Sequence, residues 1–324
     1  MNEKIPVVDA IGAAYRFAFG RLGAVIGTAW LPILILLVLT TTLTAVAMPA
    51  VFAGQPQPAM VFAQLSRLVM VYPVLLLITL VFGGMASAGM MGVALGRKQP
   101  GWVYFSFGAP VRRMIAAYFV MYGVLILLTV VLYAVFLAAS YGAGMPVPAP
   151  NALLISWVTH PFTQFVMCDI IPGHCPSAGV RVGLGFLGFV EFCVLIYTSI
   201  RLTFFLAAVV VGEEKVGVGR AWALGGSNFW RIVGVMVCTV LPIAVATAIG
   251  EHYATRAFVA AGIAHGVGGA AEIHGIALAL HGAPLVLLIS TAIGFVDRIL
   301  TLGLISGAAA SAYTEVTASR ELQH

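Results

Sequence analysis

Four ionisable residues of this chain stand where such residues are rare: Glu191 and Arg201 fall within one long apolar stretch, Asp297 and Arg298 within another. A charge inside a hydrocarbon layer is costly, so residues like these face one another, a partner or a water-filled cavity. If both stretches are helices crossing a membrane in the same direction, a rise of ~1.5 Å per residue puts Glu191 ~14 Å along its helix, Arg201 ~28 Å, and the Asp297–Arg298 pair ~20 Å along theirs. Arginine side chains span such offsets, which allows a crossed arrangement of Glu191 with Arg298 and Arg201 with Asp297. Arg201 is also long enough to reach the membrane surface instead. The quartet has two chemical readings, a polar path for a proton, ion or anionic substrate, or a neutral clamp between two helices. Two acids cancelled by two bases favour the clamp.

The remaining reactive residues form weaker constellations. Cys168 and Cys175 are the two of the four cysteines outside apolar stretches, and on an oxidising side of a membrane they are expected to form a disulfide. Zinc held by them with His160 and His174 is the alternative, but the spacing matches no closed zinc site. Cys193 and Cys238 read as buried apolar residues. His252, His265, His274 and His281 show no HExxH-like pattern and read as unrelated histidines. There is no Gly-x-Ser-x-Gly elbow and no phosphate-binding Walker loop. Gly183-Leu184-Gly185-Phe186-Leu187-Gly188 has the letters of a dinucleotide fingerprint but opens an apolar stretch with no strand before it, so it reads as chance or helix packing. Glu213 and Glu214, beside Lys215, read as a solvated turn. No catalytic residue, cofactor or metal site is expected.

The elements that must position these residues follow from composition. With 61% hydrophobic and 8% charged residues in 324, the chain cannot cover a water-soluble globule, so its solvent is largely lipid. The formal charge of +5 lies at the ends of apolar runs rather than in one patch, which points to anionic lipid headgroups and away from nucleic acid. Six runs reach the ~20 residues that a helix needs to cross a bilayer: Ala24 to Ala47, Leu68 to Leu95, Met114 to Tyr141, Val182 to Val211, Ile232 to Ile249, and Pro284 to Ala312. The first is too long for a cleaved signal and is expected to remain as a span. The expected fold is all-α, a polytopic helical membrane protein of about six transmembrane helices with interfacial amphipathic helices on the cytoplasmic side. It forms one membrane domain over 1–324, with an interfacial helix at 1–23, the bundle at 24–312 and a tail at 313–324.

Three junctions look alike. Aligning Arg21 with Arg231 brings Leu31-Pro32-Ile33 onto Leu241-Pro242-Ile243, and Phe105-Ser106-Phe107-Gly108 before Arg112 and Arg113 is a looser copy of Phe17-Ala18-Phe19-Gly20. The fullest is Arg220 to Ile243, where Trp222 and Trp230 suit the headgroup layer and Gly225-Gly226-Ser227-Asn228 breaks the helix. Near the N-terminus Val8, Ile11, Tyr15 and Phe19 recur at helical spacing, with Asp9 and Arg16 on another face, as in a helix lying in the membrane plane. Lys4, Arg16, Arg21, Arg97, Lys98, Arg112, Arg113, Lys215, Arg220, Arg231 and Arg320 fall on one side of the six spans, against Arg67, Arg181 and Arg256 on the other. Both termini are therefore expected in the cytoplasm. Residues expected to contact lipid are Arg16, Arg21, Arg112, Arg113, Arg220, Trp222, Trp230 and Arg231. Small residues four apart, at Gly84, Ala88, Gly92, Gly96 and at Gly303, Gly307, Ser311, offer faces for close helix contact.

The stretches AYRFAFGRLGAVIGTAWLPI and VVVGEEKVGVGRAWALGGSNFWRIVGV resemble the membrane domain attached to some bacterial glycerophosphodiester phosphodiesterases, which also occurs alone. The resemblance implies a surface helix before the first span, and an Arg-Ala-Trp helix followed by an Asn-Phe-Trp-Arg element before a later one. It does not imply the phosphodiesterase reaction, which belongs to a separate soluble barrel that this chain has no room for. The expected function is thus that of a non-catalytic bacterial inner-membrane protein that contacts anionic lipid, or organises a protein partner or a second copy of itself. A permease or channel using Glu191, Arg201, Asp297 and Arg298 is the alternative, and a membrane enzyme acting on lipid is a third reading.

Overall fold

The computed structural model describes residues 4–47, 67, 70–97, 104–142, 178–260 and 284–321, and its regular elements are all helical. The elements are α1 (Val7–Gly20), α2 (Leu22–Ala47), a π-helical turn (Thr79–Gly83) leading into α3 (Gly84–Ala94), α4 (Ala109–Gly142), α5 (Ala178–Gly212), α6 (Val218–Gly226), α7 (Phe229–Ala260) and α8 (Pro284–Glu321). Among the described residues, six helical segments are long and apolar enough to cross a membrane: Leu22–Thr44, Met70–Ala94, Ala109–Ala139, Gly185–Gly212, Phe229–Ala254 and Thr291–Ala318. This is an integral, multi-pass helical membrane protein. Large apolar side chains on the outside of these segments, such as Phe119 (69% exposed), Leu127 (65%) and Phe186 (68%), are tolerable only against lipid.

The helices overrun the expected spans. α4 starts before Arg112 and Arg113, α7 runs eleven residues beyond Ile249 to Ala260, and α8 takes in most of the expected tail, to Glu321. Charged residues at a membrane surface end the apolar run but not the helix, because backbone hydrogen bonding continues in headgroups and water. Cys168, Cys175, His160, His174, His265, His274 and His281 lie outside the described residues. Cys193 and Cys238 do not lie buried as expected; both thiols face outward from their helices as free cysteines. On a lipid-facing surface a small apolar side chain costs nothing to expose, so sequence alone does not separate the two positions.

The chain divides into two compact units, one formed by Met1–Phe119 with Arg201–His324 and the other by Val120–Ile200. The second unit contains the later part of α4 and the first part of α5, with Glu191 and Phe136 buried within it. The first unit has a core of two helical stretches buried nearly all round. All residues from Gly84 to Val93 are buried in α3, and Leu202, Phe204, Phe205, Leu206 and Ala208 to Val211 are buried at the end of α5. Both stretches are apolar on every side, as surrounded helices must be.

α3 ends where Gly96 adopts φ +68°, with Gly96 N–H bonded to Val93 O and Arg97 N–H to Gly92 O. This Schellman turn requires a residue without a side chain, so Gly96 belongs to the helix stop rather than to a packing face. The other small-residue face does pack. α1 presents Ala10, Ala14, Phe17 and Ala18, and a Cβ added at Gly307 would lie 2.9 Å from Phe17 Cβ and 3.1 Å from Ala14 Cα. The Val8 and Phe19 edge of α1 is left exposed, 80% and 49%, with Tyr15 stacked on Phe19. α1 also keeps step with α7: Ile5 N–H bonds to Asn228 and the Tyr15 hydroxyl donates to Cys238 O, ten residues on in both segments. The two therefore run side by side in the same direction for ~15 Å.

Two of the three related junctions share one design, a short helix (α1 or α6), a break, then a long helix with a proline inside it, Pro32 or Pro242. The third differs: residues 104–107 are not helical, and the Tyr104 ring lies against Gly89, where an added Cβ would be 2.6 Å from it. Since Phe17 Cβ and Ala14 Cα cannot swing aside, Gly307→Ala is expected to cost about 1–3 kcal/mol through overpacking. Gly12→Ala, facing open space in α1, should be neutral or stabilising by up to about 1 kcal/mol. Melting temperatures of the two purified variants check this, and equal behaviour would show that the α1–α8 approach is not tight.

Candidate functional site

The end of the first unit that carries both termini gathers most of the arginines. It is assembled by the turn after α5, where Glu214 takes a left-handed φ of 57° and Gly217 one of 49°. Gly217 then sits against Val209, and Gly225 approaches the backbone of Arg201, with an added Cβ 2.7 Å from Arg201 O. Eight residues separate the contacts on each side, so α6 folds back along α5 as an antiparallel hairpin of ~12 Å.

Around that turn runs a connected polar group. Arg97, aimed by the Schellman turn, donates through Nη1 to Val211 O at 2.9 Å and caps a carbonyl in the last turn of α5. Glu214 lies 3.8 Å from Arg97 and 3.3 Å from Arg113 of α4. Glu213 accepts from Arg220 Nε at 3.1 Å and from the Tyr313 hydroxyl at 3.5 Å. The Tyr313 ring lies on Gly212, where an added Cβ would be 2.8 Å from it. Glu213 and Glu214, read from the sequence as a solvated turn, instead join three arginines from three elements. Two adjacent acids on an otherwise basic face were the available signal. Half-exposed ion pairs contribute little singly, ~0–1 kcal/mol, so this group fixes geometry more than it adds stability.

Arg201 shows how a buried-looking arginine is used. Its Nε donates to Trp222 O at 3.1 Å, and its guanidinium carbon lies 3.8 Å from the centre of the Trp222 ring. Gly226 leaves room for the guanidinium, since any Cβ there would collide with Nη2. Arg201 thus clamps α6 onto α5 through cation–π and carbonyl contacts. Arg231 does the same for the N-terminal segment, with Nη1 donating to Ile5 O at 2.8 Å, while Ile5 N–H donates to Asn228 Oδ1 at 3.0 Å. Both main-chain groups of the fully buried Ile5 are satisfied from the break between α6 and α7 and from the first turn of α7.

Within the first unit, the structure does not pair Asp297 with Arg201. Asp297 of α8 accepts from the Thr247 hydroxyl of α7 at 3.0 Å and forms no ion pair with Arg201 among the described residues. Arg298 is exposed, and Glu191 is buried in the second unit. A second interhelical bond joins the Tyr118 hydroxyl of α4 to Ser87 of α3 at 2.8 Å. Outside the spans, burial raises the Tyr104 pKa above its usual value and keeps the phenol protonated. No three His, Cys, Asp or Glu residues among those described are placed to hold a metal.

Of the residues expected to contact lipid, Arg113, Arg220, Trp222 and Arg231 are engaged inside the protein, whereas Arg16, Arg21 and Arg112 are exposed and form no ion pair among the described residues. Trp230 is 80% exposed, its ring edge-on to Phe229. No protein-family model, no curated protein and no solved structure matches this chain.

Asn228→Ala would strand the buried Ile5 N–H, at a cost of about 1–3 kcal/mol, whereas Asn228→Asp keeps the acceptor and should lose less. Thermal unfolding of both variants in the same detergent tests this; equal losses would mean that the amide Nδ2 donor, which both variants lack, carries the effect and the bond to Ile5 does not.

Proposed function

We propose that this membrane protein is non-catalytic and that the face carrying its termini binds anionic lipid. The supporting observation is the division of its arginines. Arg97, Arg113, Arg201, Arg220 and Arg231 are spent on carbonyls, carboxylates and one indole ring within the fold. Arg16, Arg21 and Arg112, with Trp230 and the exposed Phe19 edge of α1, are left to the surroundings, Arg21 and Trp230 beside the first residues of their spans. Guanidinium groups beside amphipathic rings at span ends are what a negatively charged headgroup layer attracts, at about 1 kcal/mol per cation.

The reading places the termini in the cytoplasm of a bacterial cell, by the excess of Lys and Arg on their side. It accords with the resemblance to the membrane domain of glycerophosphodiester phosphodiesterases. Organisation of a protein partner or a second copy would use the same face.

Two measurements test it. In vesicles of phosphatidylcholine with 20–30% phosphatidylglycerol, roughly a physiological charge, the purified protein should retain phosphatidylglycerol preferentially. Replacing Arg16, Arg21 and Arg112 together by Ala should remove most of that preference, and an unchanged lipid profile would refute the reading. A fluorescent protein fused after His324 should fluoresce if the C-terminus is cytoplasmic, while a periplasmic alkaline phosphatase at the same point should be inactive; the reverse pattern would invert the topology.

A further inference from the structure

Arg16 and Arg21 share a cavity of about 400 Å³ with Gly307, Ala310, Ser311 and Glu315. We propose that this cavity seats the phosphodiester of one membrane phospholipid, a defined site rather than diffuse attraction; the proposal rests on the lipid-binding reading above. The hollow is made by small residues. Ala13 of α1, Ala94 at the end of α3 and Gly307 with Ala310 of α8 surround it, and its volume falls in the range of small-ligand sites.

Depth follows from the elements. Arg21 immediately precedes the span that starts at Leu22, Ala94 is the last residue of the second span, and Ala310 lies in the final turns of the sixth. Arg21 and Ala94 thus stand at the ends of their own spans. The chain bends at Arg21, whose N–H bonds to Phe17 O at 3.2 Å, so Arg16 and Arg21 come from the end of α1 and the corner after it.

The charge selects the ligand. Two guanidinium groups and one carboxylate leave the lining at +1, which matches the single charge of a phosphodiester better than the double charge of a phosphate monoester. Glu315 has its own interactions within the protein. The Thr314 hydroxyl is committed to Ala310 O at 2.8 Å, whereas the half-buried Ser311 hydroxyl can donate. Beyond Arg21, exposed Leu22 and Ile26 continue the surface in the direction that acyl chains would take, which favours a lipid over a soluble ester.

Native mass spectrometry of the full chain, titrated with phosphatidylglycerol, tests this. One lipid per chain should bind, with Arg16→Ala and Arg21→Ala each weakening it about fivefold. Ala13→Leu, which fills the cavity without touching a charge, should weaken it similarly, and Ser311→Leu fills it from the opposite wall should the first variant misfold. Arg112→Ala, outside the cavity, should lower the general preference for anionic vesicles but weaken this one-lipid binding clearly less than Arg16→Ala or Arg21→Ala. If both filling variants bind normally while all three arginine variants weaken binding alike, the cavity is refuted and general lipid attraction stands. If no arginine variant matters, both fall. Phosphatidic acid binding more tightly than phosphatidylglycerol would overturn the charge match. Equal affinity for the water-soluble deacylated headgroup, glycerophosphoglycerol, would overturn the lipid source.

Discussion

Main-chain carbonyls at and near helix ends must find donors, and in this protein arginines from other elements supply them. Arg97 reaches Val211 O from α3, Arg201 reaches Trp222 O from α5, and Arg231 reaches Ile5 O from α7. Each bond crosses between elements distant in sequence or folded back on one another, and each places a cation against a partial negative charge. Close packing alone cannot orient apolar helices that lipid would solvate equally well. These bonds set where α5 stops, where α6 lies and where the N-terminal segment docks.

That constraint bears directly on what the arginines can do for function. A guanidinium that holds a carbonyl and covers an indole ring is pre-organised and partly desolvated, and moving it to a lipid phosphate would forfeit both contacts. The sequence places eight residues at the lipid surface; the fold withdraws Arg113, Arg220, Trp222 and Arg231 into internal contacts and leaves Arg16, Arg21, Arg112 and Trp230 outside. The stretch Arg220 to Ile243, which as sequence is the most suggestive lipid contact, is in structure chiefly a device for binding α5, α6, α7 and the N-terminal segment to one another.

The membrane class and the six spans were legible because they depend on composition and on the length of apolar runs, which lipid thickness fixes. The related junctions were legible through Arg21 and Arg231 with their following prolines. What stayed hidden depends on acceptors that have no letter in the sequence: every residue has a carbonyl, so nothing marks Val211, Trp222 or Ile5 as the one that will be bound. Glycines were legible only in part. Gly303 and Gly307 do mark a packing face, but Gly96, in the same four-residue rhythm as Gly84, Ala88 and Gly92, serves to stop a helix. A left-handed Glu214 could not be foreseen either, since non-glycine residues adopt that conformation only where neighbours hold them.

The intramembrane charges gain a sharper meaning from the same logic. Asp297 has the Thr247 hydroxyl as its partner on the neighbouring helix, a bond that two helices in lipid can use to fix their register without any ion pair. Arg201 reaches the indole and carbonyl of Trp222, and that clamp already accounts for its presence in an apolar helix. A transport path would need the four groups to be linked through a common wet space. Asp297 and Arg201 instead each hold a partner on a neighbouring helix of the first unit, which is how a polar group in an apolar span fixes helix position.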